Sequence, residues 1–160
     1  MQRTLVMVLA LALGALVAAP ATARCAPDRV ELRGDWGTVR FRVEIADDVR
    51  ERAQGLMHVE EMARLAGMLF IYERPQRVSF WMENTLIPLD MIFADQNGLV
   101  LNVHSNAVPL DRTPIPGGSD EIVYVLEING GMAADLGIEA GSEMRHPSVP
   151  QETALWPCDD

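Results

Sequence analysis

Four polar residues stand inside apolar runs. Asn84 and Thr85 follow Phe80-Trp81-Met82, Asp90 lies between Leu89 and Met91, and Glu127 lies between Leu126 and Ile128. A buried amide or carboxylate is costly unless it is hydrogen-bonded, so each position asks for a reason. One reason is structural. Asn84 and Thr85 can bond local backbone before Pro88, where ladder pairing stops. Asp90 can accept backbone amides or pair with Arg52, and Glu127 can lie on the solvated face of its strand. A second reason is catalytic. Asp90 and Glu127, held in different environments, can serve as acid and base, as in glycan-cleaving enzymes, with Asn84 and Thr85 orienting a substrate. The separation of the two carboxyls decides that reading. A third reason is binding. Phe80, Trp81, Met82, Met57 and Met68 can line an apolar groove with Asn84 and Asp90 as its polar anchors, although the same apolar residues also read as core. The binding candidates are therefore Trp81, Asn84, Thr85, Asp90 and Arg52, and the catalytic candidates are Asp90 and Glu127.

Other chemistries find less support. His58, His104 and His146 are far apart and lack zinc-ligand spacing. The methionines suit Cu(I) but are scattered as core residues would be, without an M-x-x-M cluster. Ser79, Ser105, Ser119, Ser142 and Ser148 all lack a G-x-S-x-G elbow. The chain contains no lysine, which excludes Schiff-base chemistry and a P-loop lysine. No cofactor and no metal site are expected.

The elements that must position these residues begin after an export signal. Met1-Gln2-Arg3-Thr4 carries one positive charge, Leu5 to Val17 is apolar, and Ala21-Thr22-Ala23 fits an A-x-A cleavage site. That order is the secretory signal design. The apolar run spans only about 20 Å as a helix, short of a ~30 Å hydrocarbon core. Residues 1–23 are thus expected to be a cleaved signal peptide and residues 24–160 a single globular domain. The expected location is periplasmic or secreted, with no membrane span after cleavage. Among the charged residues, cleavage removes Arg3 alone, leaving 12 basic against 23 acidic and a net of −11. Such a surface disfavours nucleic acid and anionic lipid. Cys25 and Cys158, near opposite ends of the mature chain, are expected to form a disulfide in an oxidising compartment.

Hydrophobic periodicity then sketches the domain. Thr38 to Ile45 alternates as a half-buried strand. Asp48 with Glu51 forms a capping box for a helix carrying Val49, Ala53 and Leu56. A second short helical stretch is expected near Val59 to Leu65. Strands are expected at Met68 to Tyr72, Val78 to Glu83, Leu89 to Ala94, Leu99 to His104 and Glu121 to Ile128. Gln96-Asn97-Gly98 is a hairpin signal. Asn106 to Ser119 reads as a long loop, Gly130 to Leu136 as a short helix ended by Gly137, and Glu143-Met144 as a last short strand. The expected class is α+β, mostly β: a small barrel-like antiparallel sheet with two or three short helices.

Four stretches together carry a resemblance: Arg52-Ala53-Gln54-Gly55-Leu56-Met57, Gly67-Met68-Leu69-Phe70, Phe80-Trp81-Met82-Glu83-Asn84-Thr85-Leu86-Ile87-Pro88-Leu89-Asp90, and Tyr124-Val125-Leu126-Glu127-Ile128-Asn129-Gly130-Gly131. Over roughly residues 38–144 the chain resembles domain-of-unknown-function family 192, a bacterial and archaeal group often predicted to be exported. The resemblance implies a small β-rich, barrel-like domain and no particular reaction. Glu83 and Ser142 depart from it, standing where the family often has a basic and an acidic residue. Residues 133–141 also resemble a short piece of peptide-binding PDZ domains. The expectation is a non-enzymatic module that binds a small ligand, peptide or envelope component. The alternatives are a carboxylate-based envelope hydrolase and a purely structural scaffold.

Overall fold

The structure is a computed structural model and describes residues 25–159. The expected signal peptide lies outside the described residues. Among the described residues nine strands and two short helices follow one another. β1 (Arg29–Gly34) and β2 (Gly37–Ala46) form a hairpin, α1 (Val49–Gln54) follows, and β3 (Ala66–Gln76) returns. Then come β4 (Ser79–Phe80), β5 (Leu89–Ala94), β6 (Val100–Ala107), β7 (Ile115–Pro116), β8 (Ile122–Asn129), α2 (Met132–Leu136) and β9 (Glu143–Arg145).

Seven strands make one sheet in the order β6-β5-β8-β3-β2-β1-β9, and β4 pairs with β7 in a separate ribbon. The sheet is antiparallel except between β2 and β3, which run parallel. The expected α+β, mostly β, barrel-like class is borne out, with this parallel pair set in an otherwise antiparallel sheet. The cause is the long connection from Ala46 to Ala66, which carries α1 and brings the chain back to the same end, as parallel neighbours require. The edge strands meet: Leu99 bridges Glu143, and Val100 N–H donates to the Ser142 carbonyl. The sheet therefore curls into a barrel-like form. One apolar cluster draws buried residues from all seven strands, among them Val30, Phe41, Leu69, Ile92, Val100, Leu126 and Met144, and fills the curl. A second cluster, including Met68, Phe70, Met82, Met91, Phe93 and Val125, lies on the opposite face under α1 and the loops. β5 is buried on both faces along its whole length. Each such Met, Ile, Leu or Phe side chain stabilises by about 1.5–3 kcal/mol relative to exposure.

The expected capping box is present: Asp48 accepts from Arg50 and Glu51 N–H, and the Glu51 carboxylate accepts from Asp48 N–H. Residues 59–65 are not helical. The carbonyls of Met62, Ala63 and Arg64 accept from the Asn129 side chain, and Leu65 C=O accepts from Arg42 N–H. These long-range bonds replace the i to i+4 ladder. Only Ser79–Phe80 is strand in the expected segment 78–83, and the loop 106–119 contains the short β7. The expected disulfide joins Cys25 and Cys158 across a separation of 133 residues. It ties the C-terminal tail, where Trp156 lies under Arg33 and Arg145, to the start of β1. Among the described residues no helix is long and apolar enough to cross a membrane.

Candidate functional site

A cleft of about 250 Å³ opens on the face of the second cluster. Four pieces of chain build it. α1 and the turn after it contribute Arg52, Leu56 and Met57. β3 contributes Phe70 and Tyr72, and the segment from β4 onward contributes Ser79, Phe80, Trp81 and Thr85. Glu127 of β8 lines it from the sheet.

The sheet register fixes Glu127. It pairs with Met68 on β3 and Met91 on β5, so its side chain shares their face. Beside it, Gly67 lets β3 and β8 approach closely: a Cβ there would stand 2.3 Å from the Glu127 carbonyl oxygen. Glu127 is 4% exposed. Its carboxyl makes no hydrogen bond or ion pair with any described residue. No buried side-chain oxygen in the described chain is both sealed and unpartnered, so the carboxyl meets solvent through the cleft. Burial with nothing to compensate it pushes its pKa up to about 8. The expectation that Glu127 lies on a solvated face is thus corrected. The loops folded over that face bury it.

The walls are held independently of any ligand. Phe80 packs edge-to-face on Phe70 at 5.0 Å and on Phe93 at 5.9 Å. Trp81, next in sequence, lines the cleft at its rim and is 52% exposed. Arg52 donates to the carbonyls of Asp47 and Ile71, pairs with Glu73 at 3.1 Å and lies over the Tyr72 ring at 5.0 Å. It therefore does not pair with Asp90. Burial raises the Tyr72 pKa against the opposing pull of Arg52. Asn84 adopts a left-handed conformation, φ 55°, which Asn tolerates better than most residues. Its carbonyl accepts from His58 N–H, and its side-chain amide donates to Met57 Sδ at 3.8 Å. Asn84 thereby joins the two loops that wall the cleft, without lining it. Thr85 is buried, lines the cleft and bonds the Glu83 carbonyl at 3.4 Å.

Asp90 is elsewhere. It pairs with Ile128, one residue along from the Met91–Glu127 pair, so it projects from the opposite face of the sheet. Its carboxylate accepts from the N–H groups of Asn106, Gly131 and Ala133 at 2.7, 2.8 and 2.7 Å. It ties the end of β6 and the start of α2 to β5. Asp90 and Glu127 consequently cannot act as an acid–base pair at one centre. Of the residues singled out in the sequence, the structure brings Arg52, Met57, Phe80, Trp81, Thr85 and Glu127 to one cleft and leaves Asn84 and Asp90 outside it. Sequence reasoning missed Phe70 and Tyr72. Their two-residue spacing from Met68 was the available signal, since it puts all three on one face. Among the described residues no cluster of His, Cys, Asp or Glu is arranged to hold a metal ion.

Known structures share this architecture. A protein of unknown function from Novosphingobium aromaticivorans, solved by crystallography at 1.22 Å, is 44% identical. The match covers 73% of this chain and 83% of that one, with a TM-score of 0.71. A protein from Sinorhizobium meliloti described as a candidate transcription regulator is 38% identical, with 79% and 98% covered and a TM-score of 0.72. No curated protein matches the chain. The family model described as Uncharacterized ACR matches residues 30–146, from β1 through β9, and the chain belongs to that family, domain-of-unknown-function family 192.

Proposed function

We propose that this protein is a non-enzymatic binding module of the cell envelope that takes a small ligand in the cleft above Glu127. One observation carries the reading: a buried carboxyl without a hydrogen-bond partner lines an aromatic-walled cleft. Folding gains nothing from such a group, and an incoming donor would satisfy it. The cleft is slightly smaller than the ~300–1,000 Å³ of drug-sized pockets, which suits a compact ligand. The exported location rests on the character of residues 1–23 and on the Cys25–Cys158 disulfide, which suits an oxidising compartment.

The geometry supports the alternatives less well. Two-carboxylate hydrolysis lacks its second carboxyl in the cleft, because Asp90 faces away. A pure scaffold gives no reason for an unpartnered Glu127. A regulator acting on DNA, as the Sinorhizobium neighbour is described, needs a basic surface, whereas this chain has 23 acidic against 13 basic residues. The test is a fragment screen of the oxidised protein by ¹H–¹⁵N NMR. The reading predicts hits whose shifts map to Phe70, Trp81, Thr85 and Glu127 and which Glu127→Gln weakens. A diverse library that leaves those amides unmoved contradicts it.

A further inference from the structure

We infer that the ligand is an organic cation, an ammonium group on a compact apolar body, seated with its charge on Glu127 and its body against Phe70, Phe80 and Trp81. This rests on the binding reading above and specifies its chemistry. The cleft offers an acceptor in need of a donor: the Glu127 carboxyl has no partner. The cation already present, Arg52, is held by Glu73 and two backbone carbonyls. An anionic ligand would face the Glu127 carboxyl and an acidic protein of net charge −10. A cationic one would be drawn by the net charge, and by Glu127 as its carboxyl ionises.

The walls suit the same choice. Ring faces attract cations through their quadrupoles, most strongly when water is excluded. This wall already does so once, with Arg52 stacked on Tyr72 at 5.0 Å. Trp81, at the rim and half exposed, presents a large ring to an entering ligand. An ammonium on Glu127 would also make the ionised carboxylate the favoured form, so that binding expels the carboxyl proton below pH 8. The other ionisable groups facing this carboxyl are few. α1 contributes Arg52, β3 contributes Tyr72 with Glu73 beyond it, and β4 and β5 contribute only Ser79, Phe80 and Met91. On β6, His104 lies past Met91.

Three probes of one shape decide the matter: 2-phenylethylammonium, 2-phenylethanol and phenylacetate, each titrated into the oxidised protein by NMR and calorimetry. The expected result at pH 8 is that the ammonium binds at least tenfold more tightly than the alcohol, while phenylacetate does not bind. Glu127→Gln should erase the difference between ammonium and alcohol. Trp81→Ala, a change at an exposed rim position, should weaken the ammonium several-fold. Between pH 6 and pH 8 the wild-type affinity for the ammonium should rise about fivefold or more. If the alcohol binds as tightly as the ammonium, with shifts at Trp81 and Thr85, the cation assignment is overturned and the binding cleft stands. If none of the three moves the cleft amides, the cation assignment is overturned, and the fragment screen decides the binding reading separately.

Discussion

Replacing Glu127 by Gln should stabilise this protein, and by an amount that grows with pH. Burial moves the Glu127 pKa from 4.5 to about 8. The folded state therefore binds a proton that the unfolded state has released across that window. A group raised in this way contributes its stability in full below pH 4.5 and loses it as the pH rises through 8. At about 1.4 kcal/mol per unit, the wild type forfeits roughly 3 kcal/mol at pH 7 and about 5 kcal/mol above pH 8. Gln has nearly the same shape and no ionisation, so it escapes the loss. The variant should match the wild type near pH 4 and exceed it by roughly 3 kcal/mol at pH 7. For a domain of this size each kcal/mol is worth roughly 3–6 °C in Tm. Urea denaturation of both proteins at pH 4, 5.5, 7 and 8.5 reads this directly. A stability difference that does not change with pH, or a variant less stable than wild type at pH 7, would refute the assignment of Glu127 as an uncompensated buried carboxyl.

Other positions should respond in the opposite sense. Asp90→Asn sets an NH2 donor against backbone N–H donors that the carboxylate satisfies in the wild type, and should cost about 2–4 kcal/mol in urea denaturation. Because Asp90 faces away from the cleft, ligand affinity measured on the folded fraction should stay within twofold of wild type. Reducing the disulfide, or making the double variant Cys25→Ser with Cys158→Ser, should cost up to about 5 kcal/mol in the chain-entropy model for so long a loop. Comparing melts with and without reductant checks this. Asn84→Ala forces a Cβ residue that lacks the Asn side chain into a left-handed conformation at a cost of about 1 kcal/mol. Asn84→Gly should melt closer to wild type, and thermal denaturation separates the two.

Local signals were legible in the sequence, and long-range coverage was not. The run Leu89 to Ala94 is a strand at the expected bounds because six residues buried on both faces leave little else for the segment to be. The Asp48–Glu51 box and the Gly137 helix stop are short-range bonds between neighbours, so they could be read directly. Glu127 shows the limit. Its alternating strand assigns Val125 and Glu127 to one face and Leu126 and Ile128 to the other. Nothing local says that α1 and the segment from Ser79 to Thr85 fold over the first of these. The same holds for Val59 to Leu65, whose carbonyls meet an Asn129 side chain more than sixty residues away. β1 lay upstream of the first strand expected from the sequence, although Val30 and Leu32 alternate with charged residues. Arg52 read as a binding candidate and a partner for Asp90, whereas its partner, Glu73, sits on a strand whose register only the fold supplies.

The most direct test of the account is a ¹³C NMR titration of the Glu127 side-chain carboxyl, in the free protein and with 2-phenylethylammonium at saturation. The expected midpoint is near 8 for the free protein and at least one unit lower with the ammonium bound. A free midpoint in the ordinary range near 4.5, unmoved by the ammonium, would mean that Glu127 is already compensated and that the cleft has no unmet acceptor for a ligand to satisfy.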